Sequence, residues 1–227
     1  MKRIKVAPSM MCADFLNLGK QIETMEAKAI DYLHIDIMDG HYVPNFTLGP
    51  DFCRSLAEAT KIPLDIHLMI ENPDSYIPIF AAFGSPALYL HPETSYHPLR
   101  SLQLIRSRGA RPGIALDPSM PIDTIRPLLP YVDFVCVMTV NPGYAGQKLI
   151  PHTINKIKKL AGIVTEKRLS IEIEVDGNVS WQNIPLMIEA GARILVAGSS
   201  SLFQSASPLQ ANIERLFTLI GRGGECT

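Results

Sequence analysis

Short apolar runs alternate with longer amphipathic stretches along the chain. Eight short runs read as buried strands: Ile4–Pro8, Tyr32–Asp39, Leu64–Ile70, Ala87–His91, Arg111–Leu116, Phe134–Val140, Ile171–Gly177 and Arg193–Gly198. The intervening stretches carry apolar residues at helical spacing, as in Leu18–Lys28. Pro151–Val164 opens on a proline, which suits a first helical turn because its missing N–H would have no partner there. Ser180–Ala190 begins at a serine suited to an N-cap and stops at Gly191. Parallel neighbours need a crossover connection, so eight strands each followed by a helix predict a parallel sheet. Eight such units in 227 residues predict one closed (β/α)₈ barrel. No linker or low-complexity segment interrupts them, so residues 1–221 are expected to form a single domain, with a frayed tail at 222–227.

Three strands carry polar residues where a buried strand should be apolar. Side chains alternate with period two. Leu33, Ile35 and Ile37 therefore face the surrounding helices and turn His34, Asp36 and Met38 inward. Leu64, Ile66 and Leu68 do the same for Asp65, His67 and Met69, and Ile171, Ile173 and Val175 for Glu172, Glu174 and Asp176. Imidazoles and carboxylates inside a barrel are costly unless something pairs with them. One solution is a core network of hydrogen bonds and ion pairs, the role expected of Glu172 and Glu174. The other is a metal site: His34, Asp36, His67 and Asp176 converge at the C-terminal mouth, where barrel active sites lie, and match the N/O ligand set of Zn²⁺ or Fe²⁺.

Composition narrows the class. Hydrophobic residues make up 47% and charged ones 19%, enough for a sizeable core. The formal net charge of -1 offers no field for nucleic acid or anionic lipid. Lys156, Lys158 and Lys159 read as a solvated helix face. Cys12, Cys53, Cys136 and Cys226 have neither paired nor metal-like spacing, and Cys136 lies in an apolar run. Met1-Lys2-Arg3 is not followed by the apolar stretch of a signal peptide, and no run approaches the ~20 apolar residues of a membrane span. A reduced, cytoplasmic, soluble protein is expected.

The segment from His34 to Asn45 (His-Ile-Asp-Ile-Met-Asp-Gly-His-Tyr-Val-Pro-Asn) resembles the signature of ribulose-phosphate 3-epimerases and their close relatives. Also similar are Ala7-Pro8-Ser9-Met10, His67-Leu68-Met69, Val140-Asn141-Pro142-Gly143-Tyr144-Ala145-Gly146-Gln147, Glu174-Val175-Asp176-Gly177 and Val196-Ala197-Gly198-Ser199. Six motifs in order cover essentially the whole chain. The resemblance implies a (β/α)₈ barrel of the ribulose-phosphate-binding type that inverts C3 of a ketose phosphate. It implies that His34, Asp36, His67 and Asp176 hold one divalent metal ion, with Zn²⁺ first and Fe²⁺, Mn²⁺ or Co²⁺ as alternatives. It further implies that Asp36 and Asp176 are the acid/base pair, that Ser9 and His67 contact the sugar oxygens, and that Met38, Met69 and Met138 surround the reacting carbon. His91 and Glu93, together after the fourth strand, are expected to belong to a supporting network. An even-numbered homo-oligomer, a dimer or hexamer, is implied as well.

Such chemistry removes a proton beside a carbonyl and returns it on the other face, so it needs a proton-transfer group on each side and stabilisation of the enediolate charge. It needs no organic cofactor, and no G-x-G-x-x-G fingerprint is present. Phosphate is expected on backbone N–H groups at Gly177-Asn178 and Gly198-Ser199, after the seventh and eighth strands, with Gly143, Tyr144, Ala145 and Gly146 closing over it. Ribulose-5-phosphate enzymes usually carry a second glycine at the position of Asn178 and Gly-Gly at that of Ala145-Gly146. In these departures, and in His91-Pro92-Glu93-Thr94 and Ser201-Leu202-Phe203, the chain is more similar to bacterial allulose-6-phosphate 3-epimerases. D-allulose 6-phosphate to D-fructose 6-phosphate is therefore the first expectation, and the D-ribulose 5-phosphate and D-xylulose 5-phosphate pair the alternative. A related decarboxylase would need a lysine at the barrel mouth, and no inward position is lysine. A non-catalytic phosphosugar-binding barrel would not need an acid on each face.

Overall fold

The computed structural model describes residues 3–84 and 86–222. Its strands are β1 (Lys5–Pro8), β2 (Leu33–Asp39), β3 (Phe46–Thr47), β4 (Leu64–Met69), β5 (Ala87–Leu90), β6 (Arg111–Leu116), β7 (Phe134–Met138), β8 (Glu172–Asp176) and β9 (Ile194–Ala197). They hydrogen-bond in the order β1-β9-β8-β7-β6-β5-β4-β2-β3. All pairings are parallel except that of β3, an antiparallel flap on the end of β2. The ring closes between β1 and β2 through a parallel bridge of Ser9 with His34 and a 3.3 Å hydrogen bond from the Tyr32 N–H to the Val6 carbonyl. The result is a (β/α)₈ barrel whose eight wall strands fall within two residues of the predicted runs.

One helix follows each wall strand: α1 (Leu18–Ala27), α2 (Pro50–Ala59), α3 (Ile77–Phe80), α4 (Pro98–Ser107), α5 (Ile122–Ile125), α6 (His152–Glu166), α7 (Ile184–Ala190) and α8 (Leu209–Leu219). The expected start of α7 at Ser180 is corrected to Ile184. A helix capped at Ser180 would place Pro185 in its interior, where the missing N–H and the ring clash break the ladder. The chain instead turns first, with the Asn183 and Ile184 N–H groups on the Ser180 carbonyl, and Pro185 falls in the first helical turn.

The core has two layers. Leu33, Ile35, Ile66, Leu68, Leu88, Leu90, Val135, Val137, Ile173 and Val175 pack outward under the helices. Inside the barrel, Ala7, Tyr32, Ala87, Tyr89, Ala115, Phe134, Cys136, Met138 and Ile194 fill the space between the strands. Gly113 accommodates the Tyr89 ring: a Cβ there would lie 2.5 Å from it.

Two further expectations are corrected. Lys156 is not on a solvated face; it is 9% exposed, and its ammonium donates to the carbonyls of Asp117, Pro118 and Met120 at 2.9, 2.7 and 2.7 Å. Three acceptors satisfy its three donors, which offsets the desolvation cost and ties the end of β6 to α6. Arg222 is not frayed: it forms a 2.6 Å ion pair with Asp31, and its guanidinium lies over the Phe217 ring at 4.0 Å. The remainder of the expected tail, 223–227, lies outside the described residues, as does Cys226. Among the described residues, no helix is long and apolar enough to cross a membrane.

Candidate active site

The β2–β4 register pairs His34 with Asp65, Asp36 with His67 and Met38 with Met69, so both polar columns enter the same interior. Asp176 enters from β8, paired with Met138 of β7. His34 Nε2 lies 3.3 Å from Asp36 Oδ1 and 3.9 Å from Asp176 Oδ2. His67 Nδ1 lies 3.5 and 3.8 Å from the same two oxygens. All four donor atoms fall within 4.8 Å of one another. Both nitrogens are buried and neither has a hydrogen-bond partner among the described residues. Ligands 2.0–2.2 Å from a tetrahedral centre stand about 3.3–3.6 Å apart. The orphaned nitrogens, the two carboxylates and their spacing thus fit a single divalent cation.

The opposite ring nitrogens are held from behind. His34 Nδ1 is 2.8 Å from Asp65 Oδ2, and His67 Nε2 is 2.9 Å from His91 Nε2. Beneath them Glu174, fully buried, accepts from the Tyr89 hydroxyl at 3.1 Å. Glu172 sits lower still, in a 2.6 Å ion pair with Lys5. Ser9, next to β1, donates its hydroxyl to Asp36 Oδ2 at 2.9 Å.

Electrostatics separate the two aspartates. Burial raises the Asp176 carboxyl to about 7, and the negative charge of Asp36 adds to the rise. Asp36 is also buried, yet the charge of His34 and the close approach of the His34 and His67 imidazoles, at 3.3 and 3.5 Å, hold its carboxyl well below the usual range. Burial lowers His34, but the carboxylates of Asp36 and Asp65 outweigh it and raise the imidazole well above its ordinary value. Burial keeps His67 below its ordinary value. The surroundings thus push the two carboxyls in opposite directions, Asp36 down and Asp176 up, about a site that favours positive charge.

These carboxylates form the floor of a cleft lined by Ser9, Met38, Met69, Met138, Gly143, Tyr144, Ala145, Gly146, Gly177, Asn178, Gly198 and Ser199. Of the residues expected to meet substrate, only His67 is set back: it is fully buried and does not line the cleft. Met38 and Met69 pack with Val43 into a small apolar cluster above the floor. Among the described residues, no lysine or arginine lines the cleft.

The loop from Asn141 to Gln147 is strapped on two sides. Asn45 Nδ2 donates to the Gly143 carbonyl at 2.8 Å, and the Tyr144 hydroxyl to the Pro44 carbonyl. On the other side Asn178 Nδ2 donates to the Gln147 carbonyl at 2.7 Å, while Asn178 Oδ1 accepts from Asn183 at 2.7 Å. The Asn178 side chain is therefore occupied in holding the loop. Gly177 has φ +107°, and a Cβ there would lie 2.5 Å from Val140, so the turn after Asp176 needs glycine.

Nothing in the sequence marks Met11 and Cys12, which line the cleft from a short 3₁₀ turn after Ser9, or places the Asp65 carboxylate behind His34. The first two give no periodic signal. Asp65 is recognisable as inward, but its partner depends on the register between β2 and β4.

Residues 5–203 match the model of the Ribulose-phosphate 3 epimerase family. The chain is 47% identical over 203 residues to the ribulose-phosphate 3-epimerase of Bacillus subtilis (strain 168), covering 89% of this chain and 94% of that one. It is 42% identical over 198 residues to the Rhodobacter capsulatus protein of the same name, covering 87% and 86%. Among solved structures it is similar to a mutant tryptophan synthase alpha-subunit from the hyperthermophile Pyrococcus furiosus, with a TM-score of 0.70, 11% identity and coverage of 97% of this chain and 100% of that one. That likeness is one of fold alone. Sequence over most of the chain and the barrel it encodes agree: the chain belongs to the ribulose-phosphate 3-epimerase family and is a carbohydrate-phosphate epimerase.

Proposed function

We propose that the chain inverts C3 of a ketose phosphate, with D-ribulose 5-phosphate and D-xylulose 5-phosphate as its pair. The observation that carries the reading is the cleft floor, where two carboxylates of opposite protonation preference stand beside two orphaned imidazole nitrogens. His34, Asp36, His67 and Asp176 would hold one divalent cation, Zn²⁺ first, with Fe²⁺, Mn²⁺ and Co²⁺ as alternatives. When bound, it supplies Lewis-acid stabilisation of the negative charge that develops on the ketose oxygens.

The protein groups do the rest. Asp36 accepts the C3 proton from one face and Asp176 delivers a proton to the other, with the roles exchanged in the reverse direction. Ser9 orients the Asp36 carboxylate and meets the sugar. Met38, Met69 and Met138 line the reacting carbon with polarisable, apolar surface and keep water from it. Gly143, Tyr144, Ala145 and Gly146, with Gly177, Asn178, Gly198 and Ser199, hold the phosphate through backbone dipoles, since no basic side chain lines the cleft among the described residues. A cytoplasmic, even-numbered homo-oligomer, dimer or hexamer, completes the reading, and light scattering gives its mass.

The pentulose pair leads because relatives at 47% and 42% identity bear the name ribulose-phosphate 3-epimerase. D-allulose 6-phosphate is a second reading, favoured by Ala145 and Asn178, which depart from the usual glycines where the phosphate is expected. A comparison of kcat/KM on the two substrates decides: a clear preference for ribulose 5-phosphate supports the first reading, and one for allulose 6-phosphate replaces it with the second. Turnover of neither would defeat both.

A further inference from the structure

His67 would bind a cation through Nδ1, so its single neutral-state proton must reside on Nε2. That nitrogen faces His91 Nε2 at 2.9 Å, with the ring centroids 5.0 Å apart and the ring planes inclined by only 28°. Only one proton fits between two imidazole nitrogens. If His67 donates, His91 Nε2 must be the acceptor and carry its own proton on Nδ1. His91 Nδ1 lies 3.5 Å from Glu93 Oε1, longer than a formed hydrogen bond, and the same oxygen accepts from the Tyr42 hydroxyl at 2.9 Å. The Tyr42 ring packs on His91 at 4.8 Å, and His91 is wholly buried. Alternation along β5 explains the placement: Leu88 and Leu90 face the helices, Tyr89 faces inward, and His91 follows on the inner side.

We infer that His91 is a positioning residue that fixes the tautomer of His67 for cation binding, with Glu93 in turn fixing the tautomer of His91. The proton order runs His67 Nε2–H to His91 Nε2, then His91 Nδ1–H towards Glu93. His34 is treated differently, its Nδ1 facing the carboxylate of Asp65. One ligand histidine is backed by a charge and the other by a neutral ring whose acceptor side is chosen by a distant acid. Groups behind a ligand histidine commonly set its orientation and basicity. The inference rests on the reading of His67 as a ligand.

Two measurements test it. In cation-free protein, ¹⁵N NMR of the histidine rings should show His67 protonated at Nε2 and His91 at Nδ1; the reverse assignment would overturn the inference. Zinc affinity, read by competition with a chromophoric chelator, should fall about 10–100-fold in His91→Phe, which removes the acceptor. His91→Gln, whose amide oxygen can occupy the place of Nε2, should recover most of that loss. A His91→Phe protein that binds zinc as tightly as the wild type sinks the role of His91. If that variant does not fold, Glu93→Gln decides. It keeps a partner for Tyr42 and should both mix the His91 tautomers and weaken zinc several-fold, and no change in either measurement overturns the inference. A wild-type protein that binds no divalent cation would instead remove the ligand reading of His67, and this inference with it.

Discussion

Asp36 and Asp176 share a cleft floor but not an environment, and each should fail in its own way when neutralised. Asp36→Asn and Asp176→Asn are each expected to lower turnover by at least about 100-fold, the contribution of a positioned proton-transfer group. Both should keep the fold. Asp176→Asn removes a carboxyl whose ionised form is disfavoured beside Asp36, so the cation-free variant should melt no lower than the cation-free wild type. Near-normal turnover in either variant would remove the two-carboxylate mechanism. Their presence inside the barrel is legible in the sequence because aliphatic residues on the odd positions of Leu33–Met38 leave the even ones no other direction. The wiring is not legible. Whether His67 presents Nδ1 or Nε2 to the floor depends on ring rotation, and its neighbour His91 arrives from a different strand, outside any local pattern.

The element scale is governed by how strand ends are tied to their loops. Asp39, the last residue of β2, accepts the N–H groups of His41 and Tyr42 at 2.8 and 3.0 Å and that of Glu71, after β4, at 2.8 Å. Partial burial alone would raise its carboxyl, but these three donors outweigh it and lower the value below that of a free aspartate. A depressed folded-state value means that the stabilisation is fully present above the unfolded value, near ~3.9, and is lost as pH falls through the folded one. Asp39→Asn should therefore be less stable than the wild type at neutral pH, by about 1–3 kcal/mol for charge-assisted bonds. The gap should close on acidification below about pH 4. Urea denaturation of both proteins at the two pH values measures it, and a gap that stays constant with pH would exclude this role for the charge. Lys156 marks the limit of reading an element from its own residues. Its spacing beside Lys158 and Lys159 is that of a polar helix face, and only the arrival of three carbonyls from the β6 loop makes burial favourable.

For the whole molecule, the barrel is legible because eight apolar runs and eight amphipathic ones are a repeated local signal. β3 is not, since a two-residue flap with Phe46 77% exposed has no periodicity to display. The four-residue helices α3 and α5 are likewise too short to repeat a face. A cation that binds only the folded barrel must stabilise it, by about 2.7 kcal/mol at a hundredfold excess over Kd. At roughly 2–4 °C per kcal/mol for a chain of this size, stripping the cation with a chelator should lower Tm by about 5–10 °C, and added Zn²⁺ should restore it. An unchanged melting curve, with metal content verified as nil after chelation, would mean that the site holds no ion of consequence.

The closure of the ring carries a last consequence. β1 meets β2 through the Ser9–His34 bridge and the Tyr32–Val6 hydrogen bond rather than a full ladder, and the same bridge residues belong to the reactive floor. The seam with fewest rungs is thus where the wall should first part during breathing motions, and parting there would scatter the proposed cation ligands. Occupancy of the floor and the opening rate of the wall are then one equilibrium seen from two sides, so the Tyr32 amide should exchange with deuterated solvent more slowly the more tightly the ion is held.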